Sequence, residues 1–232
     1  MNLVSRLGFS VAALGLCSFA HASFLTTNVG FPAHTLVDFN GFMPGITTVG
    51  VGGISVGAGV TLFPSTVPAG TVRIGAQSFS VINNGDWTPA QGPYVSLNGF
   101  AGGGVPGSMT FVLPTTASQV LVSMNFGFVN PNVLIEALTG GGIVLESYNL
   151  LTAPGGNIIT PGGINASAFR GISRPSADIA QFRVTGDFIA LDDFRFVPGG
   201  SSAPEPGTLA FFLAGIPLLN RLNRRRKAQL PL

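Results

Sequence analysis

Between residues 23 and 202 no stretch of this 232-residue chain sustains a helical apolar period; short runs of Val, Ile, Phe and Leu are cut every few residues by Gly, Pro and Asn. Glycine has no Cβ and proline no amide hydrogen, so each interrupts a regular element. With 33 Gly and 17 Pro, more than a fifth of the chain is punctuation of this kind. Such a pattern permits short strands joined by turns and excludes a helical bundle. Apolar supply is adequate: Leu, Ile, Val and the 19 Phe together make about a third of the chain, well above the roughly 20% at which chains stay disordered.

The runs predict strands at Thr35–Phe39, Val60–Phe63, Thr71–Ile74, Ser78–Ile82, Tyr94–Leu97, Ser108–Leu113, Gln119–Phe128, Val133–Leu138, Ile143–Asn149, Ala168–Ile172, Ile179–Val184 and Phe188–Val197. In the clearest of them Val120, Val122, Met124, Phe126 and Phe128 alternate with Leu121, Ser123, Asn125 and Gly127, which places the first set on one face. Thr139-Gly140-Gly141-Gly142 and Thr185-Gly186-Asp187 read as hairpin bends. The expected fold is an all-β sandwich with jelly-roll wrapping. A Gly-rich β-helix or solenoid is the alternative, although no fixed repeat period supports it.

The two ends have a different character. Residues 1–22 place Arg6 before an uncharged apolar run, Leu7 to Phe19, and close on Ala20-His21-Ala22. That is the layout of a secretory signal peptide cut after Ala22. Cys17 follows Leu16, where a lipoprotein signal needs a small residue, so it belongs to the discarded segment; the mature chain then has no cysteine and no disulfide. Residues 23–197 form the exported domain and 198–207 a linker containing Pro204, Glu205 and Pro206. Residues 208–232 combine an apolar helix with a basic tail: no charge occurs from Pro206 to Asn220, and Arg221, Arg224, Arg225, Arg226 and Lys227 follow. Fifteen helical residues reach roughly 22 Å, short of the roughly 30 Å of a bilayer core. The basic cluster would hold the terminus on the cytoplasmic side.

A Pro-Glu-Pro tripeptide, a short apolar helix and a terminal Arg cluster, in that order and with a signal peptide at the other end, resemble the PEP-CTERM sorting signal. The resemblance covers Ala203 to about Lys227, roughly a tenth of the chain. It implies export by an exopolysaccharide-producing Gram-negative bacterium and processing near the tripeptide by an exosortase. The expected path is a precursor tethered in the inner membrane, then release to the cell surface or biofilm matrix. Val37-Asp38-Phe39, the Gly59-Val60-Thr61-Leu62 run and Ala190-Leu191-Asp192-Asp193-Phe194 loosely resemble ectodomains found beside such tails. That resemblance implies a sandwich similar to carbohydrate-binding modules, and no catalysis.

Splitting the charge by segment removes a misleading total. The whole chain carries a formal +2, but six of its basic residues lie in the two ends. Residues 23–202 keep five Arg against eight acids, a net −3. Without a basic patch, nucleic-acid binding is not expected.

Candidates for chemistry are few. His34 is the one histidine left after processing, and no Gly-x-Ser-x-Gly elbow accompanies it, so it reads as a surface polar residue. No zinc ligand set can be assembled. Glu136 and Glu146 are expected to oppose each other across a hairpin, and Asp192 and Asp193 to point to opposite faces of a strand unless a bulge intervenes. Neither pair makes a convincing glycosidase dyad, and the chain is read as a non-enzyme. Asp38 and Asp193 are the candidate ligands for a structural calcium. Trp87 and Tyr94, with Asp86 and neighbouring amides, form a candidate sugar-stacking platform for exopolysaccharide. Exposure of both rings would favour a carbohydrate-binding module; burial of both would favour a scaffold.

Overall fold

A computed structural model describes residues 21–43, 45–65, 71–82, 84–98, 106–128, 132–160 and 168–199. The signal-peptide core and the sorting tail, with Pro204, Glu205, Pro206 and the basic cluster, lie outside the described residues.

The chain is all-β. Its strands are β1 (Ser23–Leu25), β2 (Thr35–Val37), β3 (Ile46–Thr48), β4 (Ile54–Gly57), β5 (Val60–Pro64), β6 (Thr71–Gly75), β7 (Phe79–Ser80) and β8 (Asp86–Trp87). They continue with β9 (Tyr94–Asn98), β10 (Gly107–Phe126), β11 (Leu134–Leu138), β12 (Val144–Asn149), β13 (Ala168–Ser173), β14 (Ile179–Gly186) and β15 (Ile189–Pro198). The only helical pieces among the described residues are 3-10 turns at Asn40–Phe42 and Pro89–Gln91. No described helix is long and apolar enough to cross a membrane.

β10 organises the large sheet. Its first half pairs with β5 on one side and β14 on the other. Its second half pairs with β13 and β15 instead. The exchange of neighbours happens at Pro114-Thr115-Thr116, where the register against β14 slips between Val112 and Ala117. Proline cannot donate to a ladder, and three exposed residues there carry the chain from one wing to the other. The inward set changes parity across the bend, from Met109, Phe111 and Leu113 to Val120, Val122, Met124 and Phe126. The sequence predicts two strands in this stretch; a single bent strand of 20 residues replaces them.

The first wing runs β4-β5-β10-β14-β11-β12, and the second runs β1-β13-β10-β15-β9-β6-β3, with β2 beside the far end of β15. Every described pairing is antiparallel, which excludes the parallel β-helix alternative. Side chains from both wings enter one hydrophobic cluster. Phe111 of the first wing stacks on Phe194 of the second, with centroids 4.5 Å apart and planes 12° from parallel. Phe182 reaches the same ring at 5.9 Å. Each such pair adds about 0.5–1.5 kcal/mol beyond the burial of its area.

Part of the outer face of the second wing is covered as well. The β7–β8 hairpin folds over it and traps Val81, Trp87, Tyr94 and Ala190 in a smaller cluster, with Phe79 and Phe188 at its margin.

Candidate functional site

Burial overturns the sugar-stacking platform. Trp87 is 2% exposed and Tyr94 fully buried, their rings tilted together at 4.8 Å. The Tyr94 hydroxyl donates to the Gln77 carbonyl at 2.7 Å, and burial pushes its pKa up. The surrounding Asn, Gly and Pro suggest a surface loop, but those residues turn a hairpin that carries Trp87 down onto the sheet. Neither ring offers a face to a sugar. Among the described residues of the expected set, only the exposed Asp86 stays at the surface.

What the hairpin leaves open is a polar cleft. β6 and β9 pair Thr71 with Asn98 and Arg73 with Ser96. Val72, Ile74, Val95 and Leu97 point into the core, so these four polar side chains share the outer face. Gln77, Ser78 and Phe79 close one side, enclosing about 80 Å³. Across Phe79 a wider depression of about 350 Å³ is lined by Ser80, Asp86, Trp87 and Thr88 as well. The Trp87 Nε1–H is buried with no acceptor among the described residues.

Arg73 differs from the other four arginines of the domain. Arg174 grips Asp178 with Nε at 2.6 Å and Nη2 at 2.8 Å, and Arg183 holds Glu136 at 2.7 Å. Arg195 meets Asp193 at 3.2 Å and lies over the Phe169 ring. Arg170, 5% exposed, donates to the carbonyls of Gly156, Asn157 and Phe169, and burial lowers its pKa. Among the described residues Arg73 has no carboxylate within ion-pair distance, and it is exposed.

A buried polar network that sequence reasoning missed lies beneath the hairpin. Asn84 Nδ2 lies 2.8 Å from Asn125 Oδ1 and 2.7 Å from the carbonyls of both Phe126 and Ile158. Asn125 Nδ2 donates to the Asn84 carbonyl and to Thr160 Oγ1. The Thr160 amide donates to Asn84 Oδ1 at 2.7 Å. Both asparagines are fully buried. The signal available in sequence was Asn125 within an otherwise apolar strand end.

The carboxylates distribute differently from expectation. Glu136 lies opposite Ser147, not Glu146, and faces Arg183 on β14. Alternation then puts Glu146 on the other face, where Arg174 approaches it to 3.7 Å. At Asp192 the bulge is present: the register against β10 slips between Leu121 and Ser123, and Asp193 takes the left-handed region at φ 52°. The Asp193 amide donates to Asp192 Oδ1 at 2.7 Å. Burial, and then the charges of Asp193 and Asp38, push the Asp192 carboxyl up to about 7. Asp38 and Asp193 are thus brought near each other, since Val37 pairs with Phe194. Their oxygens already accept hydrogen bonds, Asp38 from Asn40 and Asp193 from Arg195. No grouping of three or more His, Cys, Asp or Glu suited to a metal ion occurs among the described residues. Neither depression beside Phe79 includes these carboxylates. His34 is exposed, with Nδ1 2.8 Å from the Pro32 carbonyl and its ring edge-on to Phe31.

Comparison with family models, curated proteins and solved structures finds no match to this chain.

Proposed function

We propose that the chain is an exported, non-enzymatic protein of the cell surface or extracellular matrix, delivered by its signal peptide and sorted through its C-terminal tail. The observation that carries this reading is the ordered series Pro204-Glu205-Pro206, uncharged apolar run, Arg221, Arg224, Arg225, Arg226 and Lys227. The extents of the sheet agree with it: β1 starts at Ser23, the residue after the proposed cut, and β15 ends at Pro198, ahead of the tripeptide. In this reading the two wings are the layers of a jelly-roll-like sandwich and the tail is a short membrane helix. The prolines keep the processing segment extended, the apolar run brings it to the inner membrane, and the basic cluster resists translocation while an exosortase acts. The ion pairs of Glu136 and Glu146 favour structural over catalytic roles for those acids. A second reading, a carbohydrate-binding module for exopolysaccharide, is favoured by the polar cleft beside Phe79.

Two variants test the sorting assignment in a strain with an active exosortase. Glu205→Ala leaves an uncut precursor in the membrane fraction. Replacing Arg224, Arg225 and Arg226 with Glu lets unprocessed chains reach the periplasm. Secretion and processing of both like the wild type would refute the assignment.

A further inference from the structure

We infer that the cleft between the outer faces of β6 and β9 and the Gln77–Phe79 segment binds an acidic sugar unit, with Arg73 holding its carboxylate. The inference rests on the export reading, which puts the domain among polysaccharides, and it deepens the carbohydrate alternative by naming a site and a ligand class.

The chemistry of the lining selects the ligand. Among the described residues Arg73 is the one charged residue that lines the cleft, and no acid lines it. In a domain whose other arginines each have carboxylate or carbonyl partners, an exposed guanidinium without one retains its full capacity for a two-pronged grip on an anion. Around it stand the hydroxyls of Thr71, Ser78 and Ser96 and the amides of Gln77 and Asn98, groups that both donate to and accept from sugar hydroxyls. Gln77 and Ser96 are 5% and 2% exposed, so two of these polar groups are set firmly into the wall. Phe79 separates the cleft from the wider depression and is half-buried, with its ring braced against Phe188 at 6.5 Å. It supplies an apolar surface for a pyranose ring. The second depression continues past it over Asp86 and Trp87, giving a neighbouring sugar unit space. A free phosphate or small carboxylate would use Arg73 but leave the hydroxyls, amides and Phe79 without a role. A neutral glucan would leave the arginine without one.

The test is calorimetric titration of the full chain with an oligoglucuronate and, separately, with a neutral cello-oligosaccharide and with acetate. The expected result is binding of the oligoglucuronate alone, weakened by added salt. Arg73→Gln should weaken it about 10–100-fold, the range for loss of a charge-assisted hydrogen-bonded contact. Phe79→Ala should weaken it too, and Arg73→Lys should restore only part of the loss. Thermal unfolding of each variant shows whether the fold persists. Oligoglucuronate binding that is indifferent to Arg73→Gln in a folded variant overturns the site. Preference for the neutral sugar overturns the ligand class, and acetate binding as tightly as the oligomer overturns the sugar assignment. No binding of any probe overturns the proposal while leaving the sorting reading intact, because that reading is judged by fractionation.

Discussion

The two faces of the second half of β10 are both buried, yet by opposite means. Inward, Val120, Val122, Met124 and Phe126 meet the aromatic side chains of both wings, and burial of apolar area supplies the stability. Outward, Leu121, Ser123 and Asn125 are equally hidden, and Asn125 is tied by amide hydrogen bonds to Asn84 of the short hairpin and to Thr160. The inner face tolerates reshaping if volume is kept. The outer one depends on every donor finding its acceptor, because a buried polar group left alone costs about 1–3 kcal/mol. The inner face also has its polar exception: Arg170 stands opposite Val122 and donates to three carbonyls.

The largest expected effect lies inside. Phe194→Ala removes the ring shared by Phe111, Phe182 and Phe196 and should cost about 3–5 kcal/mol in denaturant unfolding. Phe194→Leu should cost distinctly less, since much of the volume remains. Asn84→Ala comes next, at about 2–4 kcal/mol, because several buried partners lose their bonds together. If it were as mild as an exposed substitution, the outer face would not be a second core. Amide exchange at Phe126 and Thr160 should quicken in that variant before the inner strands respond.

Most strands were legible because a half-buried strand alternates, as Phe182, Val184 and Gly186 do in Ile179–Gly186 and Phe194 and Phe196 do in Ile189–Pro198. β1, β3, β4 and β8 were not, since two to four residues hold too little pattern. The outer face was misread for a physical reason. Ser123 and Asn125 look like solvent-facing positions, and only tertiary folding hides them, at Asn125 through Asn84 of the hairpin and Thr160. Trp87 and Tyr94 reverse the same error: polar neighbours suggested exposure, while their area drove burial. The left-handed turn at Asp193 has no sequence pattern that would mark it, although it decides that three carboxylates gather.

That gathering sets a smaller, pH-dependent contrast. Asp192, opposite Ser123 on the outer face, has its carboxyl raised to about 7 by burial first and then by Asp193 and Asp38, with Arg195 the nearby cation on Asp193. Between about pH 4 and about pH 7 the unfolded chain loses this proton while the folded chain keeps it. Unfolding therefore releases a proton, and this contribution to stability falls as pH rises through the window. Asp192→Asn should flatten that slope and stabilise the protein at pH 8 by on the order of 1–2 kcal/mol. An unchanged slope in the variant would contradict the assignment. The smallest effect is expected from chelation: EDTA should leave the thermal midpoint nearly unmoved, because Asp38 and Asp193 already have hydrogen-bond donors. Collapse of the fold on chelation would instead make calcium structural.

The central claim is that both ends serve delivery and that the sheet between them is the delivered object. The intact mass of the protein recovered from the cell surface or matrix tests it most directly, since one measurement reports both cuts. The account predicts a chain that begins at Ser23 and ends near Pro204-Glu205-Pro206, without the basic cluster. Recovery there of a chain that still contains Met1, or that still carries Arg224, Arg225 and Arg226 in a strain with an active exosortase, would contradict it.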